Sequence, residues 1–208
     1  SGVTPRIPDI PGIDHPKVAT YAEILCGARE AGQTVAIMGA GGIGHDVAEF
    51  LVTHPAEANE NAAFFDTWGV DGQFRNAGAL AGDPLAAVPA KRKVVMLQRK
   101  TSKVGQGLGI STGWILRNAL RKHGVETLAG VVYQRIDDRG LHVLLNGETK
   151  VIAADTIVLC TGQEPVRTLH EALAARGIPA SMIGGAAEAA ELDALRAIDE
   201  GVRLAQSL

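Results

Sequence analysis

V-A-I-M-G-A-G-G-I-G-H-D-V-A-E-F-L, residues 35–51, carries the strongest structural signal in this chain. Its four leading apolar residues, 35–38, predict a short buried strand. Gly39, Gly41 and Gly44 then supply the pattern G-x-G-x-x-G, after which apolar residues recur at helical spacing. A strand, a glycine turn and a helix in this order are the context in which the pattern indicates dinucleotide binding.

Each glycine of the pattern has its own physical role. Gly39 permits the tight turn, Gly41 lets the backbone approach a pyrophosphate closely, and Gly44 lets the helix pack onto the strand. The pyrophosphate is expected on free N–H groups at the positive end of the helix dipole. The residues predicted to contact the cofactor in this loop are therefore Gly39, Ala40, Gly41, Gly42, Ile43 and Gly44.

The composition is that of an ordinary globular chain of one domain or two small ones. Of the 208 residues 46% are apolar and 21% are charged, and the formal net charge is −3. No basic block suggests a nucleic-acid partner. No apolar run approaches the roughly 18 residues of a membrane span. The opening S-G-V-T-P-R lacks an initiator Met and a signal pattern, so we expect a fragment or a trimmed chain from a cytoplasmic protein.

The cysteines and histidines predict neither a disulfide framework nor a metal site. Cys26 and Cys160 form no C-x-x-C pair, and both have apolar neighbours in the sequence, so we expect two buried, reduced thiols. The six histidines are scattered without ligand spacing.

Residues 54–93 fit a simple dinucleotide fold poorly, because Asn, Gly and Ala dominate them. The aromatic residues of this insertion are Phe64, Phe65, Trp68 and Phe74. One interpretation is a surface excursion held by its own aromatic side chains. The other is a contact surface for a further domain or subunit.

A second apolar strand, 94–97, ends in Gln98-Arg99-Lys100. The end of this strand faces the adenosine ribose in a dinucleotide fold, where an acid binds the 2′-hydroxyl of NAD and cations accommodate the 2′-phosphate of NADP. Here the acid is absent and two cations follow, which favours NADP(H). The alternative interpretation is that Arg99 and Lys100 are only a solvated end of the strand and bind no phosphate.

The glycine-rich run G-Q-G-L-G-I-S-T-G-W, residues 105–114, precedes a predicted helix over 112–122. It is interpreted either as a second phosphate loop or as a mobile flap over the nucleotide. Three short strands follow at 131–136, 141–145 and 149–153, joined by turn residues that include the hairpin signal Asn-Gly.

Further predicted elements are a helix over 18–29, a buried strand over 156–160 and a long C-terminal helix with Leu192, Leu195, Ile198 and Val202 on one face. The predicted fold class is α/β. It comprises a Rossmann-like dinucleotide-binding domain with a parallel sheet and an antiparallel β-meander, together with part of an FAD-type domain.

Several stretches in this order resemble one family. They are A-I-M-G-A-G-G-I-G-H-D-V-A, V-M-L-Q-R-K-T-S-K-V-G-Q-G-L-G, T-G-W, L-N-G-E-T, C-T-G-Q-E-P and E-L-D-A-L-R-A-I. The chain is similar over essentially its whole length to the C-terminal part of the NADPH-dependent bacterial 2,4-dienoyl-CoA reductase, an iron–sulfur flavoprotein related to old yellow enzyme.

The resemblance implies cofactors and partners that the residues alone do not. Members of that family carry an upstream (β/α)8 barrel with FMN, the dienoyl-CoA substrate and a [4Fe–4S] cluster. NADPH reduces FAD there, and electrons reach FMN through the cluster. This chain would supply the NADP(H) site and share FAD with a missing segment, with FMN and the cluster only on missing upstream domains of the same polypeptide.

The same resemblance assigns residues and boundaries. Arg99 and Lys100 match the 2′-phosphate end, Thr161-Gly162 matches the return to the FAD domain, and Gly184-Gly185 matches the late flavin motif. Many relatives have Asp where Gly185 stands, which leaves only a backbone contact there. The expected domains are an FAD-domain remnant and linker over 1–32, the NADP(H) domain over 33–160, and a C-terminal FAD-type segment over 161–208.

The leading expectation is an NADPH-binding portion that cannot complete the reductase reaction alone. One alternative is the corresponding domain of a related amine dehydrogenase-type flavoprotein. A second is a non-catalytic NADP(H)-sensing module.

Overall fold

The computed structural model describes residues 1–53, 61–83, 86–190 and 193–207. They form two compact units: one contains residues 9–160, and the other contains residues 1–8 together with the chain from 161 onward. The strands are β1 (Gly2–Pro5), β2 (Val18–Thr20), β3 (Thr34–Met38), β4 (Lys93–Gln98), β5 (Glu126–Ala129), β6 (Val132–Asp137), β7 (Gly140–Leu145), β8 (Glu148–Ile152), β9 (Thr156–Leu159) and β10 (Gln163–Val166). The helices are α1 (Tyr21–Leu25), α2 (Gly42–Val52), α3 (Asn61–Trp68), α4 (Gly113–Lys122), α5 (Thr168–Ala175), α6 (Gly184–Ala187) and α7 (Ala194–Ser207).

A parallel five-stranded sheet in the order β2-β9-β3-β4-β5 organises the larger unit. Its central strands β3 and β9 are apolar after a leading threonine, because both of their faces are covered. One core forms where α1, α2 and α4 pack on the sheet, around residues such as Val47, Leu51 and Leu120. The second core lies between the sheet and the meander, around Leu97, Leu141 and Ile157.

The meander is a separate antiparallel sheet in the order β6-β7-β8. Its second turn contains Asn146 with a φ of 53° and Gly147 with a φ of 84°. Two consecutive left-handed residues are what a type I′ hairpin turn requires, and Asn-Gly is its preferred sequence. The predicted hairpin is therefore present.

The smaller unit is built on the antiparallel pair β1–β10, in which Gly2 pairs with Val166 and Pro5 pairs with Gln163. The short helix α6 packs on both strands and on α7. Three apolar side chains of α7 that were expected on one face are exposed, namely Leu195, Ile198 and Val202. Leu192, the fourth member of that predicted face, lies outside the described residues.

The α/β fold with a parallel sheet and an antiparallel meander is confirmed. The helix predicted over 18–29 is wrong in its first turn, because Val18–Thr20 forms β2 and pairs in parallel with β9. Only Tyr21–Leu25 is helical, and it starts at a capping box between Thr20 and Glu23. The edge strand β5 was not predicted.

Two other expectations change. Residues 9–32 belong to the larger unit, because β2 joins its sheet, whereas the sequence placed a boundary near residue 32. Cys26 is exposed and only Cys160 is buried, so the expectation of two buried thiols is wrong for Cys26.

In the insertion, residues 54–60 and 84–85 lie outside the described part. The described part contains α3, where the ring of Phe64 contacts the rings of Phe65 and Trp68. Phe64 and Phe74 are both exposed. Internal ring contacts and exposed rings occur together, so both interpretations of the insertion stay open. None of the helices within the described ranges is long and apolar enough to cross a membrane.

Candidate dinucleotide-binding site

The glycine turn starts where three parallel strands end together. Met38 of β3 is in register with Leu97 of β4 and Leu159 of β9. The N–H of Gly39 donates to the carbonyl of Leu97 over 2.8 Å, with a φ of 109° that favours glycine. The carboxyl edge of an open parallel sheet is where α/β folds bind their ligands.

The three glycines nearest the start of α2 differ in the space around them. A Cβ on Gly44 would lie 2.2 Å from the carbonyl oxygen of Gly39, so only glycine allows the helix to approach the strand this closely. A Cβ on Gly41 or Gly42 would meet no atom within 4 Å. Open space beside the first N–H groups of an eleven-residue helix fits a pyrophosphate.

His45 fixes this turn, a role that sequence reasoning missed. Its ring is buried, and Nδ1 lies 2.9 Å from the carbonyl oxygen of Gly41. Burial is the main cause of its lowered pKa, so the ring is neutral and an N–H at Nδ1 can donate to that carbonyl. The sequence offered one signal, a polar ring directly after the third glycine of the pattern.

The cationic strand end is exposed. Arg99 and Lys100 follow the last residue of β4, and neither side chain forms a hydrogen bond or ion pair with the described residues. Because β3 and β4 are neighbouring parallel strands, these two cations follow the same edge of the sheet as the glycine turn. The pair is thus available to a phosphate at that edge.

Tyr133 connects the meander to the same edge. Its O–H donates to the carbonyl of Leu97 over 2.9 Å, the carbonyl that also accepts from Gly39. Burial raises the pKa of this phenol, so the hydroxyl keeps its proton and its donor role. Sequence reasoning missed this residue too, because the contact joins β6 to the end of β4.

The second glycine-rich segment, 105–113, packs beside the first. A Cβ on Gly105 would lie 2.8 Å from Nε2 of His45, and the carbonyl of Gly105 accepts from Arg117 over 2.8 Å. A Cβ on Gly113 would lie 2.6 Å from Cβ of Leu108. Both ends of this segment are therefore held by packing.

The remaining predicted residues lie in the smaller unit and are engaged within it. The hydroxyl of Thr161 donates to the carbonyl of Arg6 over 2.8 Å, and the N–H of Arg6 donates to the carbonyl of Gly162 over 3.0 Å. The N–H of Gly184 donates to the carboxylate of Glu200, and Gly185 beside it is buried. The flavin assignment of these four residues stays a prediction.

A wide cleft lies elsewhere in the larger unit. It has a volume of about 1020 Å³ and is lined by residues of α1, α2, α3 and α4, including Glu49, Trp68 and Lys122. No residue predicted to bind a cofactor lines it. The strand-edge geometry, rather than cavity size, therefore identifies the candidate site. No group of three or more metal-ligating side chains occurs within the described ranges.

Comparison with known proteins matches most of the chain to one oxidoreductase family. A family model described as "Pyridine nucleotide-disulphide oxidoreductase" matches residues 1–184. The "Metal reductase" of Desulforamulus reducens is 27% identical over 186 residues, which cover 89% of this chain and 27% of that protein. The "Mercuric reductase" of Staphylococcus aureus is 21% identical over 169 residues, covering 79% of this chain and 24% of that protein. The chain thus spans about a quarter of the length of these relatives.

Two solved structures share the fold over almost the whole chain. A 2-naphthoyl-CoA reductase complex gives a TM-score of 0.73 at 21% identity, covering 100% of this chain and 26% of that one. The 6-hydroxypseudooxynicotine amine oxidase of Pseudomonas geniculata gives a TM-score of 0.69 at 22% identity, covering 98% of this chain and 27% of that one.

Proposed function

The chain belongs to the pyridine nucleotide-disulphide oxidoreductase family, and we propose that it is the NADPH-binding portion of a flavin-dependent 2,4-dienoyl-CoA reductase. One observation carries the nucleotide half of this proposal. The open space at Gly41 and Gly42 lies at the same edge of the sheet as the exposed cations Arg99 and Lys100. A pyrophosphate site and a 2′-phosphate site on neighbouring strands are what NADPH requires.

The residues of this chain bind and orient the nucleotide. The backbone N–H groups at the start of α2 would hold the pyrophosphate, and the ring of His45 holds the carbonyl of Gly41 by a hydrogen bond. Arg99 would form a two-pronged contact with the 2′-phosphate, and Lys100 would add a point charge. Bound NADPH supplies a hydride for a flavin, which is the cofactors' own chemistry.

The acceptor half is proposed from the resemblance. FAD would be shared with a segment outside this chain, and Thr161, Gly162, Gly184 and Gly185 are its proposed contacts. FMN, a [4Fe–4S] cluster and the 2,4-dienoyl-CoA substrate would lie on an upstream barrel domain of the same cytoplasmic polypeptide. The shared fold with a reductase of another CoA thioester supports this acceptor class.

An amine dehydrogenase-type flavoprotein is the second candidate. The observation in its favour is the similarity of the amine oxidase structure, whose TM-score of 0.69 is close to the 0.73 of the CoA reductase. The intact glycine turn and the cationic strand end favour the reductase, because an enzyme that delivers electrons from NADPH needs both.

The first experiment is a calorimetric titration of the 208-residue chain with NADPH and NADH side by side. We expect preferential NADPH binding, and equal affinities would contradict the 2′-phosphate assignment. The acceptor is tested on the whole polypeptide that contains this chain, by following NADPH oxidation with a 2,4-dienoyl-CoA and with an amine-derived iminium acceptor. NADPH oxidation that depends on the dienoyl-CoA is expected, and its absence would remove the acceptor proposal while leaving the nucleotide site intact.

A further inference from the structure

Gln98 closes the turn that carries the two cations. It is the last residue of β4, and its side-chain Nε2 donates to the carbonyl of Lys100 over 3.0 Å and to the carbonyl of Ser102 over 2.6 Å. One amide group therefore satisfies two backbone acceptors of an exposed loop. The loop backbone is held by a side chain that itself starts from a rigid strand.

The neighbouring turn braces this loop from the other side. The N–H of Gly130 donates to the carbonyl of Lys100 over 2.9 Å, and the N–H of Val131 donates to the carbonyl of Gln98 over 3.1 Å. Gly130 has a φ of +74°, and a Cβ there would lie 3.3 Å from Cγ2 of Thr101. The backbone from 98 to 102 is thus fixed at both ends, while all five residues 99–103 are exposed.

The position of Gln98 has a consequence for cofactor choice. In an NAD-dependent fold an acid near the end of this strand accepts a hydrogen bond from the ribose 2′-hydroxyl. A glutamate at 98 would have the same length as Gln98 but no N–H to donate. Its charge would face the carbonyls of Lys100 and Ser102 and would repel a 2′-phosphate.

We propose that Gln98 determines the preference of this site for NADPH, by holding the loop 99–102 in the form that presents Arg99 and Lys100. This inference rests on the proposed function. Gln98 acts as a positioning residue, because its amide protons go to the loop backbone and the cations make the contact with phosphate. Glutamine therefore contributes in two ways. Its amide group donates hydrogen bonds to the loop, and it carries no negative charge that would repel the 2′-phosphate.

The test is a calorimetric titration of the chain with NADPH and NADH in three variants. Gln98→Glu should weaken NADPH binding by about tenfold or more, because two hydrogen bonds are lost and a repulsive charge is added. NADH binding should stay within about twofold or improve, because hydrogen bonds to the loop are lost while a ribose acceptor is gained. Gln98→Ala should weaken NADPH alone, by about fivefold to tenfold.

Gln134→Glu is the matched control, since Gln134 is an exposed glutamine of β6 whose side chain forms no hydrogen bond with another described residue. It adds the same charge and should leave the ratio of the two affinities unchanged. Thermal melting of each variant separates loss of the fold from loss of the preference for NADPH over NADH. If Gln98→Glu does not fold, Gln98→Ala alone provides the test.

The outcomes separate the two proposals. A native chain that binds neither nucleotide would remove the proposed function, and this inference with it. A native preference for NADPH that persists in both Gln98 variants would overturn only the role of Gln98. An equal loss for NADPH and NADH would also overturn it, because a merely structural residue affects both nucleotides alike.

Discussion

Two glycine-rich segments each precede a helix of the larger unit, but the glycine that begins the helix has open space in the first, at Gly42, and is closely packed in the second, at Gly113. In residues 39–44 the two glycines at the start of α2 have open space where a Cβ would point. In residues 105–113 the first and last glycines are closely packed, Gly105 against His45 and Gly113 against Leu108. The first segment leaves room for a ligand, whereas the second is held by packing at both of its ends.

Glycine content alone therefore does not indicate a phosphate loop. A buried strand leads directly into the first segment, so its N–H groups face the open edge of the sheet. The second segment follows the exposed loop after β4, and no strand leads directly into it as β3 leads into the first segment. This weighs against a second phosphate loop, and a flap over the nucleotide stays a prediction.

The largest effect is expected from Gly44→Ala. Its Cβ would lie 2.2 Å from the carbonyl oxygen of Gly39, so α2 must move away from β3. We expect a loss of about 3 kcal/mol in the free energy of unfolding, together with loss of nucleotide binding. Urea denaturation measures the first. Gly42→Ala, which meets no atom within 4 Å, is the control for stability. Equal stability of the two variants would contradict the packing role of Gly44.

Gly41→Val should abolish binding of NADPH and NADH alike, by about a hundredfold or more, because its side chain would fill the place of the pyrophosphate. The fold should persist, since no atom lies within 4 Å and the φ of −81° suits valine. Gly107→Val is the matched control, because Gly107 in the second segment also has no neighbour within 4 Å. Calorimetric titration compares them. Unchanged binding by Gly41→Val would place the nucleotide elsewhere.

Gly113→Ala should show the reverse pattern. The added Cβ would lie 2.6 Å from Cβ of Leu108 and 3.3 Å from Nη1 of Arg117, so the start of α4 must shift. We expect a loss of about 1–2 kcal/mol in stability, with nucleotide affinity changed by less than about threefold. Urea denaturation and calorimetry on the same preparation test both halves. A strong loss of affinity without loss of stability would make the second segment a binding loop after all.

Arg99→Ala should weaken NADPH by about tenfold and leave NADH unchanged, because only NADPH carries the 2′-phosphate. Arg121→Ala, which removes a cation from the last turn of α4, controls for the change in net charge. Titration at low and at high salt adds a second check, since screening should reduce the difference between the native chain and Arg99→Ala. An equal loss for both nucleotides would show that Arg99 does not read the 2′ position.

The last effect concerns pH and the buried thiol that packs beside Gly44 of the first segment. Burial raises the pKa of the Cys160 thiol to about 12 from an ordinary value of 9.0. Between these values the unfolded chain loses this proton and the folded chain keeps it, so stability should fall as pH rises from about 9 to 12. Urea denaturation across this range measures the fall, and Cys160→Ala should reduce it. An identical slope in that variant would assign the fall to other groups.

The sequence predicted those elements whose signals are local. The apolar run before Gly39 and the Asn146-Gly147 turn each fix their structure within a few residues, and both were identified correctly. Three residues of β2 were taken as helix because only their pairing with β9 makes them a strand. The strand β5 lies at the edge of the sheet, where it pairs only with β4, and its sequence E-T-L-A mixes polar and apolar residues. It therefore shows no hydrophobic periodicity that would predict a strand.

The candidate site divides in the same way. The candidate glycines and cations could be proposed from the sequence because each follows an apolar run that marks a strand, and their contact with a nucleotide stays a prediction. The contacts of His45 with Gly41 and of Tyr133 with Leu97 depend on how elements pack, and no sequence pattern reports them. The two hydrogen bonds of Gln98 reach residues that are close in the sequence, Lys100 and Ser102. They depend on a loop conformation that only the structure shows.

The ladder between β1 and β10 bears on how members of this family can diversify. Pro5 and Gln163 pair within it, so the chain departs from the smaller unit and returns to it at adjacent points. An insertion whose ends meet imposes little entropic cost on its host, and hosts tolerate its replacement well. Recombination at these two neighbouring junctions would exchange the whole stretch between the strands without redesign of the smaller unit.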